Sequence, residues 1–536
     1  MHRTTARAAV RAAARAAGTP TAAHKTTRRT AATLAGKALR VGIVGGGPAG
    51  FYAASRLLSL PGSEQTRVDL FELLPTPFGL ARFGVAPDHP EVKNCEHKFE
   101  ETARDPRFRF FGNVQVCGTA SPDATPSSVP NTHPSALAAS IPLDTLREHY
   151  DAVLLTYGAS LDRPLGIPGE DTLLNVLSAR TFVNWYNGHP YHSSLLAPVL
   201  DLSKLDHATI IGQGNVALDV ARILLKDVDA LREYDVPEHV LAELARSRIK
   251  RVDVVGRRGP LQLAATTKEL REMLALPGVA FETDQQLLAQ AVADVDAHPK
   301  MEGARGKKRA MGLLKGGSKT TLAGADRSWS LEFLQSPVEL LPSADASAEA
   351  PSPLEGITSP QSIGAVRYVQ NELVPSSSSS DPSTYTARAT ASTSLSPTSV
   401  LFKSVGYRSI GLPGLPFDAR RGIVLNDQGR VVTPAGERVA GLYTSGWLAR
   451  GPMGVIATTM FDAFATADLV AADLAAQGGQ DEARGDVPIE TLRGDRRVVS
   501  WEDWEVLDRI ERERGRAKGK LREKITSVEE MLNLLP

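Results

Sequence analysis

The sequence predicts an α/β protein containing two Rossmann-like dinucleotide-binding domains. Three observations carry that expectation. Two strand–turn–helix segments each open on a glycine-rich turn, an acidic residue closes the strand after the first turn, and two arginines stand at the matching place after the second. At 536 residues the chain is long enough to bury several cores.

The first forty residues stand apart from the rest. They are rich in Arg, Ala and Thr, and the first acidic residue is Glu64. Arg3, Arg7, Arg11 and Arg15 recur at a spacing that stacks them on one side of a helix, with Ala and Val opposite. A secretory signal would need a continuous apolar centre, which is missing, so residues 1–36 are read as a mitochondrial transit peptide.

The first dinucleotide unit reads LRVGIVGGGPAGFYAASRLL. An apolar run from Val41 to Val44 gives way to G-x-G-x-x-G at Gly45, Gly47 and Gly50, then to apolar residues at helical spacing. Gly45 allows the tight turn, Gly47 lets the backbone approach a pyrophosphate, and Gly50 permits close packing of helix on strand. The helix start offers its unpaired amides to the phosphates. The following strand, RVDLFE, ends at Glu72, whose carboxylate can accept both hydroxyls of an adenosine ribose. A nucleotide with a free 2′-hydroxyl, FAD or NAD, is expected there.

Between the two units, Ala120 to Pro142 is rich in Pro, Ser and Ala and reads as a surface insertion. The second unit, DHATIIGQGNVALDVARILL, repeats the design with Gly212, Gly214 and Ala217. Its next strand runs into VGRRGP, so Arg257 and Arg258 stand where the first unit has Glu72. Two guanidinium groups in place of a carboxylate suit a 2′-phosphate, which arginine can grip with two parallel hydrogen bonds. This site reads as one for NADPH. Leu341 to Ser399, with a serine run from Ser376, reads as flexible decoration on a strand pair that includes Ala365 to Val369. Beyond Ser500 come an aromatic patch, SWEDWEVLD, a charged helical run and EEMLNLL.

Composition narrows the chemistry. Basic and acidic residues number 61 each, which gives no reason to expect nucleic acid as the main partner. The two cysteines, Cys95 and Cys117, are too few for a disulfide framework, a four-thiolate cluster or a structural zinc site, and no metal site is expected. No apolar run approaches the roughly 20 residues of a membrane span.

Several strings go beyond the generic pattern. They are PFGLARFGVAPDHPEVKN at Pro77 to Asn94, IIGQGNVALDVARILL, VGRRGPLQLAATTKELREM at Val255 to Met273, and SGWLARGPMGVIATTMFDAF at Ser445 to Phe464. Together with SWEDWEVLD and EEMLNLL they resemble the adrenodoxin reductase family, the mitochondrial ferredoxin–NADP reductases. The likeness runs from about Lys37 to Pro536.

The resemblance implies a discontinuous FAD domain, residues 37–159 and 410–536, with an NADPH domain, residues 160–409, inserted into it. TYGA at Thr156 to Ala159 and GYRS at Gly406 to Ser409 would be the hinge strands. It further implies that Ala49, Glu72, Leu80, Val116, Trp447 and the backbone of Gly454, Val455 and Ile456 contact FAD. Gln213, Gly214, Asn215 and Val216 would line the NADP pyrophosphate, Arg257 and Arg258 would hold the 2′-phosphate, and Glu269 with Gly454 would lie near the nicotinamide half. His89 and Asp219 match polar positions around nicotinamide and flavin, where they could orient groups or carry a proton.

With no C-x-x-C pair for disulfide chemistry and too few cysteines for a cluster, the electrons are expected to leave for a partner, which the resemblance implies is an acidic 2Fe-2S ferredoxin. Arg305, Lys307, Lys308, Arg309 and Lys315 form a basic run suited to such a partner, and the matching region of the family is its docking surface. Rival readings are an NADPH-dependent quinone reductase or oxidase, and a redox-sensing nucleotide-binding protein with little turnover. The mitochondrial matrix is the expected location, and association with the inner-membrane surface stays open.

Overall fold

The structure is a computed structural model that describes residues 38–118, 137–196, 199–344, 361–375, 381–476 and 485–536. The arginine-spaced leader, most of the Pro/Ser/Ala insertion and the serine run lie outside the described residues.

The first part of the chain lays down β1 (Arg40–Val44), helix α1 (Pro48–Leu58), β2 (Arg67–Phe71), the short α2 (Leu80–Phe83), β3 (Phe108–Phe111), β4 (Val114–Cys117), β5 (Ala139–Pro142) and β6 (Ala152–Leu155). β1 is buried on both faces, as a parallel strand covered by helices must be, and its Val41, Ile43 and Val44 are apolar accordingly. After β6 comes β7 (Leu161–Asp162), then β8 (Val176–Ser178), β9 (His207–Ile211), α3 (Asn215–Leu225), β10 (Arg251–Val255), α4 (Thr267–Leu274), β11 (Val279–Thr283), α5 (Ala304–Gly316) and β12 (Arg327–Glu332). Then follow β13 (Gln335–Pro342), β14 (Ile363–Val374), β15 (Thr386–Pro397), β16 (Val400–Lys403) and β17 (Tyr407–Arg408). The chain closes with β18 (Phe417–Asp418), β19 (Ile423–Val424), β20 (Asn426–Asp427), β21 (Arg430–Val432), β22 (Arg438–Thr444), α6 (Trp447–Arg450), α7 (Ile456–Ala476) and α8 (Trp501–Ala517).

Two sheets organise these elements. One is ordered β20-β21-β22-β6-β1-β2-β3 and joins strands from both ends of the chain. The other is ordered β11-β12-β10-β9-β16-β8 and is made wholly from the middle, with every pairing parallel. In each sheet the strand before the glycine turn is central, β1 between β2 and β6, β9 between β10 and β16. Each therefore delivers its turn to the carboxyl edge of a parallel sheet, where nucleotides bind in open α/β folds.

The chain passes between the sheets twice, and the two passages pair as an antiparallel ribbon. Tyr407 lies opposite Asp162, and Arg408 opposite Leu161. The expected hinge strand at Thr156 to Ala159 is a loop instead. Its Thr156 hydroxyl donates toward the carbonyls of Val44 and Gly45, each at 3.0 Å, so this segment braces the first glycine turn.

Two other expectations change. Ala139–Pro142, read as the end of an insertion, is a strand paired in parallel with β4, and its Ile141 is fully buried. The region read as decoration on a strand pair is a three-stranded antiparallel meander, β13-β14-β15, with two twelve-residue strands. Val366 and Tyr368 anchor it in a core shared with Ile211 and Val255 of the second sheet. Serine and threonine on the exposed face of β15 hid its period of two.

The carboxyl-terminal segment ties the halves together. Glu511 of α8 is buried and takes both the guanidinium of Arg82, at 2.6 Å, and that of Arg522, at 2.7 Å. Lys520 donates to the Val236 carbonyl at 2.7 Å, and Lys524 pairs with Asp235 at 2.8 Å. Burying such charges is stabilising only when each has its partner, so this strut fixes one arrangement.

Candidate functional site

The first glycine turn is shaped by contacts that leave no choice of side chain. Gly45 has φ +111°, and a Cβ there would lie 2.6 Å from the Tyr157 backbone. A Cβ on Gly50 would strike the Gly45 carbonyl at 2.2 Å. Gly47 is different, since nothing of the protein lies within 4 Å of its would-be Cβ. That position faces open space at the amino end of α1, as a backbone that must approach a phosphate should.

Other elements close around this turn. The Phe78 amide donates to the Gly46 carbonyl at 2.8 Å, and a Cβ on Gly79 would meet the Gly47 Cα at 3.0 Å, which places Leu80 and α2 beside the turn. Phe78 adopts φ +81°, a strained conformation for a residue with a side chain. Its ring is held by Phe51, Trp501 and Trp504. A Cβ on Gly446 would touch Ala49 at 3.0 Å, which sets Trp447 against the same cradle. Val116 is buried on β4, and Gly454, Val455 and Ile456 lead into α7, which packs along α1.

Glu72 follows β2 directly. Its carboxylate accepts from the Gly46 amide at 2.6 Å and the Leu74 amide at 3.0 Å. Burial raises its pKa, against the pull of those backbone amides. A carboxylate offers about four lone pairs, so acceptor capacity remains for ribose hydroxyls. The indole Nε1 of Trp447 is buried with no hydrogen-bond partner among the described residues. An open glycine, a partly buried acceptor and an orphaned donor fit a flavin dinucleotide.

The second turn repeats the plan. Gly212 has φ +121° and passes over Ser404, and Gly214 faces open space at the start of α3. Gln213 points inward, its amide donating to the carbonyls of Val254 and Glu332 at 3.0 and 2.8 Å, so only its backbone can face a pyrophosphate. Asn215 accepts from the Thr266 amide at 2.8 Å, and Thr266 in turn bonds Glu269, which is buried. Val216 packs against the core beneath. Arg257 and Arg258 are exposed just past β10, and among the described residues neither has a salt-bridge partner. Burial and the neighbouring Arg257 lower the pKa of Arg258, so an anion here would relieve the repulsion.

Relatives share this construction along most of the chain. NADPH:adrenodoxin oxidoreductase, mitochondrial, from Bos taurus is 43% identical over 505 residues, 92% of this chain and 91% of that protein. The protein of the same name from Homo sapiens is 41% identical over 514 residues, covering 93% and 92%. The chain belongs to the NADPH:adrenodoxin oxidoreductase family. Among solved structures, Mycobacterium tuberculosis FprA in complex with NADPH superposes with a TM-score of 0.76 at 36% identity, over 93% of this chain and 99% of that one. No family model matches the chain.

In this member of the NADPH:adrenodoxin oxidoreductase family, the P-D-H-P loop spans the two sheets. His89 Nε2 lies 2.6 Å from Glu272 Oε2 on α4. Asp88 takes the Arg222 guanidinium of α3 at 2.9 and 3.0 Å and, at 2.9 Å, the ammonium of Lys226 just past the end of α3. Asp219 pairs with Arg222 at 2.7 Å, and burial raises its pKa against the pull of Arg222 and then His89. His89 and Asp219 thus belong to one charged cluster without bonding each other directly. Sequence reasoning missed Asp88, Arg222 and Glu272. Arg222 falls one helical turn after Asp219, and Glu272 one turn after Glu269, but only the fold shows that both face the loop.

Burial opposes ionisation of Asp88, and Arg222 and Lys226 outweigh it, holding the carboxyl well below the ordinary value of 3.8. Asp88→Ala is expected to destabilise the protein by about 2 to 3 kcal/mol, because it removes the two-pronged partner of a buried guanidinium and leaves it Asp219 alone as a close partner. A depressed carboxyl pKa stabilises fully above the unfolded value and loses that contribution as pH falls through the folded one. The gap between wild type and variant in urea titrations should therefore be full at about pH 5 and shrink toward about pH 2.

The expected docking run forms the helix α5. Arg305, Lys308 and Arg309 are exposed, with Lys308 paired to Asp296 at 2.7 Å. Lys307 departs from the sequence reading. It is half-buried, and its ammonium donates to the Leu261 carbonyl at 3.0 Å, because it lies on the side of α5 that packs toward the Arg257–Gln262 turn.

Proposed function

We propose that the chain is an FAD-dependent oxidoreductase that passes electrons from NADPH to an adrenodoxin-type 2Fe-2S ferredoxin in mitochondria. One observation carries the reading. Two glycine turns with side chains of opposite charge beside them, Glu72 at one and Arg257 with Arg258 at the other, are built on sheets joined by a two-stranded antiparallel ribbon.

Bound FAD supplies the conversion of a two-electron hydride donor into a one-electron reductant. The protein holds and orients. Gly45, Gly47 and Gly50 shape the pyrophosphate turn, Glu72 accepts the ribose, and Trp447 offers its indole N–H. The amino end of α7, after Gly454 and Val455, suits a developing negative charge on the flavin ring. On the other sheet, the backbone of Gly214, Asn215 and Val216 would hold the NADPH pyrophosphate, and Glu269 would lie at the nicotinamide side. His89, held by Glu272, and Asp219, held by Arg222, are proton-holding groups where the two sheets meet. With two free cysteines the chain cannot ligate a four-thiolate cluster itself, so the cluster belongs to the partner.

The relatives are named mitochondrial, and the arginine-spaced leader supports the matrix as the destination. No helix among the described residues is long and apolar enough to cross a membrane.

The test is NADPH-driven reduction of cytochrome c with and without a 2Fe-2S ferredoxin. Rates should rise strongly with the ferredoxin; equal rates would favour the quinone reductase or oxidase reading. The double variant Arg305→Glu, Arg309→Glu should raise the ferredoxin KM about tenfold at low salt, and the difference should narrow as salt shortens the screening length to about 8 Å at physiological strength. A salt-independent change would place the docking surface elsewhere.

A further inference from the structure

The turn Gly256–Gln262, which carries Arg257 and Arg258, is fastened from several sides. Asn371 of β14 donates to the Arg257 carbonyl at 2.9 Å and to the Ser336 hydroxyl at 2.9 Å. The Leu334 amide donates to the Arg258 carbonyl at 3.2 Å, and Gln262 reaches the Pro382 carbonyl at 2.7 Å. A Cβ on Gly259 would meet Leu373 at 2.9 Å. The far side is closed by α5, where Lys307 donates to the Leu261 carbonyl at 3.0 Å.

We propose that Lys307 is a third cation of the NADPH 2′-phosphate subsite, beside Arg257 and Arg258, and that it sets dinucleotide specificity instead of docking the partner. The inference rests on the reading of this site as one for NADPH. Its geometry differs from that of its neighbours on α5. Arg305, Lys308 and Arg309 are exposed, whereas Lys307 is half-buried against the arginine turn and has no salt-bridge partner among the described residues. One carbonyl satisfies one of its three N–H donors. Burial lowers its pKa, the carboxylates of Asp381 and Glu302 pull it back up, and the positive charge of Arg258 lowers it again, so Arg258 lies within electrostatic reach of the ammonium. A dianionic phosphate held by Arg258 would attract an ammonium within that reach. A half-buried ammonium bonded to the arginine turn is less open to a protein partner than the exposed Arg305, Lys308 and Arg309.

The test is calorimetric binding of 2′,5′-ADP and of 5′-AMP to the flavin-loaded protein. Wild type should prefer 2′,5′-ADP. Lys307→Met should weaken 2′,5′-ADP by about tenfold or more and leave 5′-AMP unchanged, with the ferredoxin KM unaffected. Lys307→Arg should keep most of the affinity. In wild type, 2′,5′-ADP and not 5′-AMP should protect Lys307 from acetylation, read by mass spectrometry, which needs no variant to fold. A wild type without preference for 2′,5′-ADP would overturn the NADPH reading itself. Preference in wild type with no loss in Lys307→Met and no protection would overturn the role of Lys307 alone. A raised ferredoxin KM with normal 2′,5′-ADP binding would return Lys307 to the docking surface.

Discussion

Replacing Arg257 and Arg258 together by alanine is expected to lower kcat/KM for NADPH by roughly a hundredfold to ten-thousandfold, while NADH changes about twofold or less. The magnitude follows from charge-assisted hydrogen bonds, worth about 1.5 to 3 kcal/mol each, that the proposed reading gives these two side chains with the 2′-phosphate. Neither arginine has a salt bridge within the described structure, so removing them strands no partner and should leave stability nearly unchanged. Their carbonyls, not their guanidinium groups, hold the turn in place through Asn371 and Leu334. Steady-state kinetics with both nucleotides, alongside a melting curve, checks this. An equal fall with NADH would mean that the arginines support the turn and not the phosphate.

Gly47→Val should abolish flavin retention, with affinity for FAD falling by about a hundredfold or more, while the apoprotein keeps its fold. Gly47 has φ −83°, which any residue adopts, and its side-chain direction is empty of protein. The added isopropyl group would occupy the space through which the pyrophosphate approaches the α1 amides. Gly50→Val offers the contrast, because its Cβ would strike the Gly45 carbonyl at 2.2 Å and should damage the fold itself. The visible absorption of purified protein reports flavin, and circular dichroism reports the fold. A yellow Gly47→Val protein would place the pyrophosphate elsewhere.

Much of the site was legible because it is local. The glycines of both turns, Glu72, Arg257 and Arg258 each act through the backbone conformation or charge of their own segment, and a segment is what a sequence displays. The three-stranded meander was misjudged for the opposite reason. Its serine- and threonine-rich strand β15 has little apolar alternation, and it is held by pairing with β14 and by the core around Val366 and Tyr368. Lys307 shows the same limit at a single residue. In sequence it is one of several basic neighbours, and only the packing of α5 on the Leu261 turn separates it from Arg305 and Lys308.

The sequence by itself determined that there are two glycine-rich dinucleotide turns, that a carboxylate follows one and two arginines follow the other, and that the cysteines are too few for a four-thiolate cluster. Those conclusions depend on residue types at short spacing, where steric and charge requirements are met by neighbours in the chain. Tertiary structure alone decided that Asp88, His89, Asp219, Arg222 and Glu272 form one cluster, and that Lys307 faces the arginine turn. These residues come from the P-D-H-P loop, α3, α4 and α5, and their electrostatics depend on burial and on charges brought together by folding, neither of which a linear spacing contains.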